Sequence, residues 1–125
     1  MITVRNTYQR AEQLMWSRAL DFIQHENIFL KNTIAEILKN GVANNSLEEI
    51  EFFQNQFLNK DAVIALLRRD IAMQNQQVEK ERNSDTNAAR AATKRNDQLR
   101  EDMAKMEKEF SQLKYSFTSY LSKNL

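Results

Sequence analysis

Apolar residues along this chain recur three and four positions apart, in three stretches separated by two polar interruptions. In the first stretch, about Tyr8 to Lys39, the row is Trp16, Leu20, Ile23, Leu30, Ile34 and Ile37. Met15, Ala19, Phe22 and Phe29 flank that row and widen it, so this helix is expected to touch two neighbours. The second stretch, about Leu47 to Arg82, runs through Ile50, Phe53, Phe57, Ile64, Leu67, Ile71 and Val78, and is interrupted by Lys60, Gln74 and Glu81. The third, about Thr86 to Leu121, is the most regular: Ala89, Ala92, Asn96, Leu99, Met103, Met106, Phe110, Leu113, Phe117 and Tyr120. This is the seven-residue spacing of coiled coils and bundles. No stretch alternates with the two-residue period of a strand.

The interruptions predict helix ends. At the first, Gly41 can take the left-handed conformation that closes a helix, and Ser46 with Glu49 forms a capping box for the next one. At the second, Asn83, Ser84, Asp85, Thr86 and Asn87 carry side chains that compete for backbone hydrogen bonds and favour turns. Three helices of matched length joined by short connections run antiparallel to their neighbours. The expected fold is therefore all-α: one domain over residues 1–125, an up-down-up bundle of three long helices with coiled-coil-like packing. The alternative carries one helix straight through the second interruption, giving a helical hairpin with one very long helix that must dimerise to bury its seam. The head, Met1 to Thr7, and the tail, Leu121 to Leu125, lack anchoring patterns and are expected to fray.

Folding the chain at these two turns sets a register. Gln13 falls level with Gln74, and Gln74 with Asn96, all three at positions the seven-residue pattern reserves for apolar residues. Glu26 and Asn27 fall level with Lys60, and Lys60 with Glu109 and Phe110. Two polar layers are expected, of the kind that lowers stability while selecting one register.

Composition supports the class. Among 125 residues there are one Gly and no Pro, too few for the many tight turns of a sheet-rich domain. The absence of Cys removes disulfides, thiolate nucleophiles and cysteine-bound metals. The longest apolar run, Ala62 to Leu67, is far short of a membrane span, and the first residues do not form a signal peptide, so a cytoplasmic, soluble protein is expected.

Enzymatic chemistry finds little to build on. The single His25 pairs with Asp21 one turn earlier, which supplies too few ligands for a metal site, and Phe22 stands where a di-iron Glu-x-x-His motif needs its carboxylate. One glycine builds neither a phosphate loop nor a nucleophile elbow. The expectation is a non-enzymatic module with no cofactor, no metal and no small-molecule substrate.

Two kinds of partner compete. Eighteen basic against seventeen acidic residues leave a net charge of +1, but Lys80, Arg82, Arg90, Lys94, Arg95 and Arg100 cluster around the second turn and form a candidate anion-binding tip, the weaker, nucleic-acid reading. The stronger reading is a protein partner or a second copy of the chain. Phe52, Leu58 and Leu66 lie off the main row of the second helix and Tyr115 off that of the third, forming a candidate docking strip. Met73, Met103 and Met106 read as core filler. The architecture resembles helical bundles in general, spectrin-type three-helix geometry among them, and no motif points to one family.

Overall fold

A computed structural model describes the backbone of residues 4–81 and 86–124 and, among these, every side chain except those at 5, 6, 44, 45, 77–81 and 86. It consists of three α-helices: α1 over Val4–Asn40, α2 over Asn44–Glu81 and α3 over Thr86–Asn124. α1 closes at Gly41, whose φ of 87° lies in the left-handed region and whose amide donates to the Leu38 carbonyl at 3.3 Å. Only residues 41–43 separate α1 from α2, so α2 starts as soon as the chain has reversed. Ser46 is consequently inside the first turn, its amide donating to the Ala43 carbonyl at 2.8 Å, and the capping-box reading is corrected.

Both ends are more helical than anticipated. α1 is formed from Val4, where Gln9, buried in its second turn, reaches Thr93 of α3. α3 continues to Asn124 because Tyr120 and Leu121 pack against the core. Of the second polar interruption, residues 83–85 lie outside the described residues, and Thr86 and Asn87 already belong to α3.

Side-chain pairs fix the directions. On α1 and α2, Asp21 meets Arg68 and Lys31 meets Asp61, so the two helices are antiparallel. On α2 and α3, Gln74 meets Arg95, Lys60 meets Glu109 and Phe53 meets Phe117, again antiparallel. This side-by-side packing corrects the one-long-helix alternative. α1 and α3 are parallel, joined by Gln13 to Asn96 and Glu26 to Lys114. α2 packs along its length on both neighbours, whereas α1 and α3 approach each other at far fewer points.

The core follows the three-and-four spacing. Leu20, Ile34, Ile50, Phe57 and Phe117 are sealed from solvent, each stabilising the fold by roughly 1.5–3 kcal/mol before entropy is subtracted. Aromatic rings concentrate toward the Gly41 end, where Phe57 meets Phe117 at 5.4 Å and Phe110 at 6.4 Å, and Phe53 meets Phe117 and Tyr120 at 5.2 and 5.6 Å. Polar residues concentrate toward the opposite end: Gln9, Gln13, Gln74 and Asn96 are all buried there.

Candidate functional site

The polar layer near the N-terminal ends of α1 and α3 holds a chain of hydrogen bonds from Gln13 to Asp97, with Gln74 and Gln9 bonded separately beside it. Gln13 donates through Nε2 to Asn96 Oδ1 at 3.0 Å, and Asn96 donates through Nδ2 to Glu12 Oε1 at 2.8 Å. Arg100 donates Nε and Nη2 to the two Glu12 oxygens at 2.6 and 2.8 Å, and Nη1 to Asp97 at 2.9 Å. The hydrogen bonds that Arg100 donates to Glu12, and then to Asp97, push its guanidinium further above its ordinary range. Gln74 donates to the Ala92 carbonyl at 2.8 Å and accepts from Arg95 at 3.1 Å. Gln9, buried and donating to Thr93, stands on the Trp16–Ile23 line continued one heptad toward the N-terminus, whereas Glu12 lies beside the seam and has no periodic signal of its own.

The second layer is arranged differently from expectation. Asn27 is sealed in the core, where its Nδ2 donates to the Phe57 carbonyl at 3.0 Å and to Asp61 Oδ1 at 2.7 Å. Lys31 holds the other Asp61 oxygen at 2.6 Å. Lys60 pairs with Glu109 at 3.2 Å, as the register placed them, but it does not meet Asn27, and Glu26 turns to Lys114 at 3.3 Å. Asp61, one residue past Lys60, is the side chain that Asn27 meets.

Cations at the candidate anion tip fall into two groups. All four described cations are exposed; Arg100 is held by Glu12 and Asp97 and Arg95 is bonded to Gln74, whereas Arg90 and Lys94 make no such bond among the described residues. The side chain of Lys80 and the whole of Arg82 lie outside the described residues. His25 is exposed, its Nδ1 2.8 Å from the Asp21 carbonyl, while the Asp21 carboxylate is taken by Arg68. Among the described residues, no three His, Asp or Glu side chains come together to hold a metal ion. Nor is any described helix long and apolar enough to cross a membrane.

The surface is more informative than the interior. Met15, Phe22 and Phe29, expected to widen the α1 core stripe, are exposed; only Ala19 of that row is half-buried. Each of the three stands one residue before a buried seam position, Trp16, Ile23 or Leu30, which turns it about 100° away from the core. Met73 likewise faces solvent, while Met103 and Met106 fill the core. Phe52, Leu58 and Leu66 are about half exposed on α2, and Tyr115 is exposed on the separate outer face of α3. Thirteen large apolar side chains are exposed among the described residues, seven on α1 and five on α2, against Tyr115 alone on α3. The outer face of α3 carries Lys94, Glu101, Lys105, Lys108 and Gln112 instead.

Open grooves run between the helices. One of about 350 Å³ between α1 and α3 has Ile23 and Phe110 on its floor, Phe22 on its rim and the Glu26–Lys114 pair across it. Another of about 370 Å³ between α2 and α3 is bordered by Asp70, Met73, Arg95 and Asp102. No protein-family model matches this chain, nor does any curated protein or any solved structure.

Proposed function

We propose that this chain is a non-enzymatic protein-interaction module that presents the outer faces of α1 and α2 to its partner. One observation carries the reading: twelve of the thirteen exposed large apolar side chains among the described residues lie on those two helices. Apolar side chains scattered singly over a surface need no explanation, but their gathering on two adjacent helices, with a polar third, is the distribution expected of contact faces. Covering such faces removes apolar area from water at roughly 25 cal/mol per Å². These side chains make two surfaces rather than one: Phe22 borders the groove between α1 and α3, whereas Phe52 and Met73 border the grooves between α2 and α3.

The test is photo-crosslinking in the cells that make the protein, with a photoreactive residue placed at Phe22, at Leu66 or, as control, at Glu101 on α3. Discrete protein adducts from the first two positions and none from the third are expected. Equal adducts from all three, or adducts from Glu101 alone, contradict the proposal.

A further inference from the structure

We infer that Asn40 and Gly41 form a self-modifying site at the end of α1, where the chain converts Asn40 to aspartyl and isoaspartyl residues with water as the only co-reactant. The sequence holds a single glycine, so Asn40–Gly41 is its one Asn-Gly step. In such a step the backbone nitrogen of the glycine can attack the side-chain carbonyl carbon of the asparagine, because no Cβ on the following residue blocks the approach.

The fold leaves this chemistry open. Asn40 is the last residue of α1 and is exposed, and its side chain makes no hydrogen bond among the described residues. Gly41 is exposed too, and nothing lies within 4 Å of the place a Cβ would occupy, so a ring closing there meets no neighbour on that side. Its amide is tied to the Leu38 carbonyl at 3.3 Å, at the long end of an N–H···O hydrogen bond. Attack requires the peptide between the two residues to turn out of its helical angle. Freeing it opens that single weak bond, and the last turn of a helix frays readily.

Asn32, Asn55, Asn59 and Asn75 are the internal comparison. All four are exposed, but each lies inside a helix and is followed by a residue with a side chain: Thr33, Gln56, Lys60 and Gln76. The following amide then belongs to the ladder of helical hydrogen bonds, and the helical backbone angle aims that nitrogen away from the side-chain carbonyl. Exposure alone therefore does not select Asn40; the helix end and the glycine do.

No oxidant or reductant is needed. The Gly41 nitrogen gives its proton to hydroxide and bonds to Asn40 Cγ; the Cγ–Nδ2 bond breaks, and ammonia leaves with a proton from water, closing a five-membered succinimide. Water then opens the ring at either carbonyl. Cleavage of the bond between nitrogen and Cγ leaves aspartate in an ordinary backbone, and cleavage at the main-chain carbonyl leaves an isoaspartyl link that runs through Cβ. Each product places a new carboxylate on the last turn of α1, at the negative end of its dipole, and cancels the formal net charge of +1. The isoaspartyl form also lengthens the backbone entering a connection made only of residues 41–43.

The test holds the full chain, folded or in guanidinium chloride, at mildly alkaline pH and maps its peptides by mass spectrometry, each product being heavier by about 1 Da. In the folded chain both isomers should accumulate at Asn40 ahead of Asn32, Asn55, Asn59 and Asn75, and faster as pH rises. The folded rate should lie within about tenfold of the unfolded one, since opening a last turn costs little. Asn40→Gln, whose ring would need six members, should stay unmodified at position 40 over the same period with helical content unchanged. A folded rate slower than that bound, product spread evenly over the five asparagines, or the same mass gain at position 40 in Asn40→Gln overturns the inference.

Discussion

At the residue scale, two positions carry costs that substitution can expose. The Tyr120 hydroxyl is buried and finds no hydrogen-bond partner among the described residues, while its ring packs 5.6 Å from that of Phe53. Tyr120→Phe keeps the ring and removes the desolvated hydroxyl, so it should raise stability by up to about 1 kcal/mol in urea unfolding; a loss of that size would mean the hydroxyl is satisfied. Gly41 is the opposite case. A Cβ there would meet nothing within 4 Å, so the objection to a side chain is conformational alone: φ is +87°. Gly41→Ala should cost about 1–2 kcal/mol, read from the same transition. An unchanged midpoint would mean that the turn can re-form with ordinary backbone angles.

The helices themselves show which parts of the fold the sequence made legible. Three-and-four spacing is a direct image of which side of a helix is buried, so Leu20, Ile50, Phe57, Met103 and Phe117 were readable as core. The lone glycine was readable as a helix end, since few residues tolerate its backbone angle. Met15, Phe22 and Phe29 were not readable as surface. Apolar residues beside a seam look the same whether they widen the core or form a second, outward line, and only the number and position of neighbouring helices separates the two. The seven-residue recurrence of Tyr8, Met15, Phe22 and Phe29 was the available signal. Likewise, levelling Asn27 with Lys60 missed Asp61 by one residue, because a folded-over register is set by turn geometry more finely than spacing resolves.

The buried amides at the far end of the bundle belong to this scale too. Gln13, Gln74 and Asn96 spend core positions on hydrogen bonds, and the Oε1 of Gln13 has no partner among the described residues. Replacing all three with Leu should raise stability by about 2–4 kcal/mol, a rise of roughly 10 °C in Tm for a chain of this size. The same variant should lose uniqueness, sampling other registers or larger assemblies, because an all-apolar seam no longer distinguishes one alignment from the next. A variant less stable than the parent that still forms one species would show that the amide network is a net source of stability.

For the whole molecule, the three helices divide the work unequally. α2 anchors both neighbours, α3 turns a polar face to water, and α1 and α2 expose apolar side chains beyond the core they already fill. An assembly built on those side chains differs from one built on the cations around Arg90 and Lys94 in a single respect: salt screens the second and spares the first. Photo-crosslinking from Phe22 and Leu66 in extracts of the cells that make the protein, at low and high salt, therefore separates them most directly. Apolar contact predicts discrete protein adducts from both positions that persist at high salt. An absence of adducts, or adducts that disappear as salt rises, would contradict it.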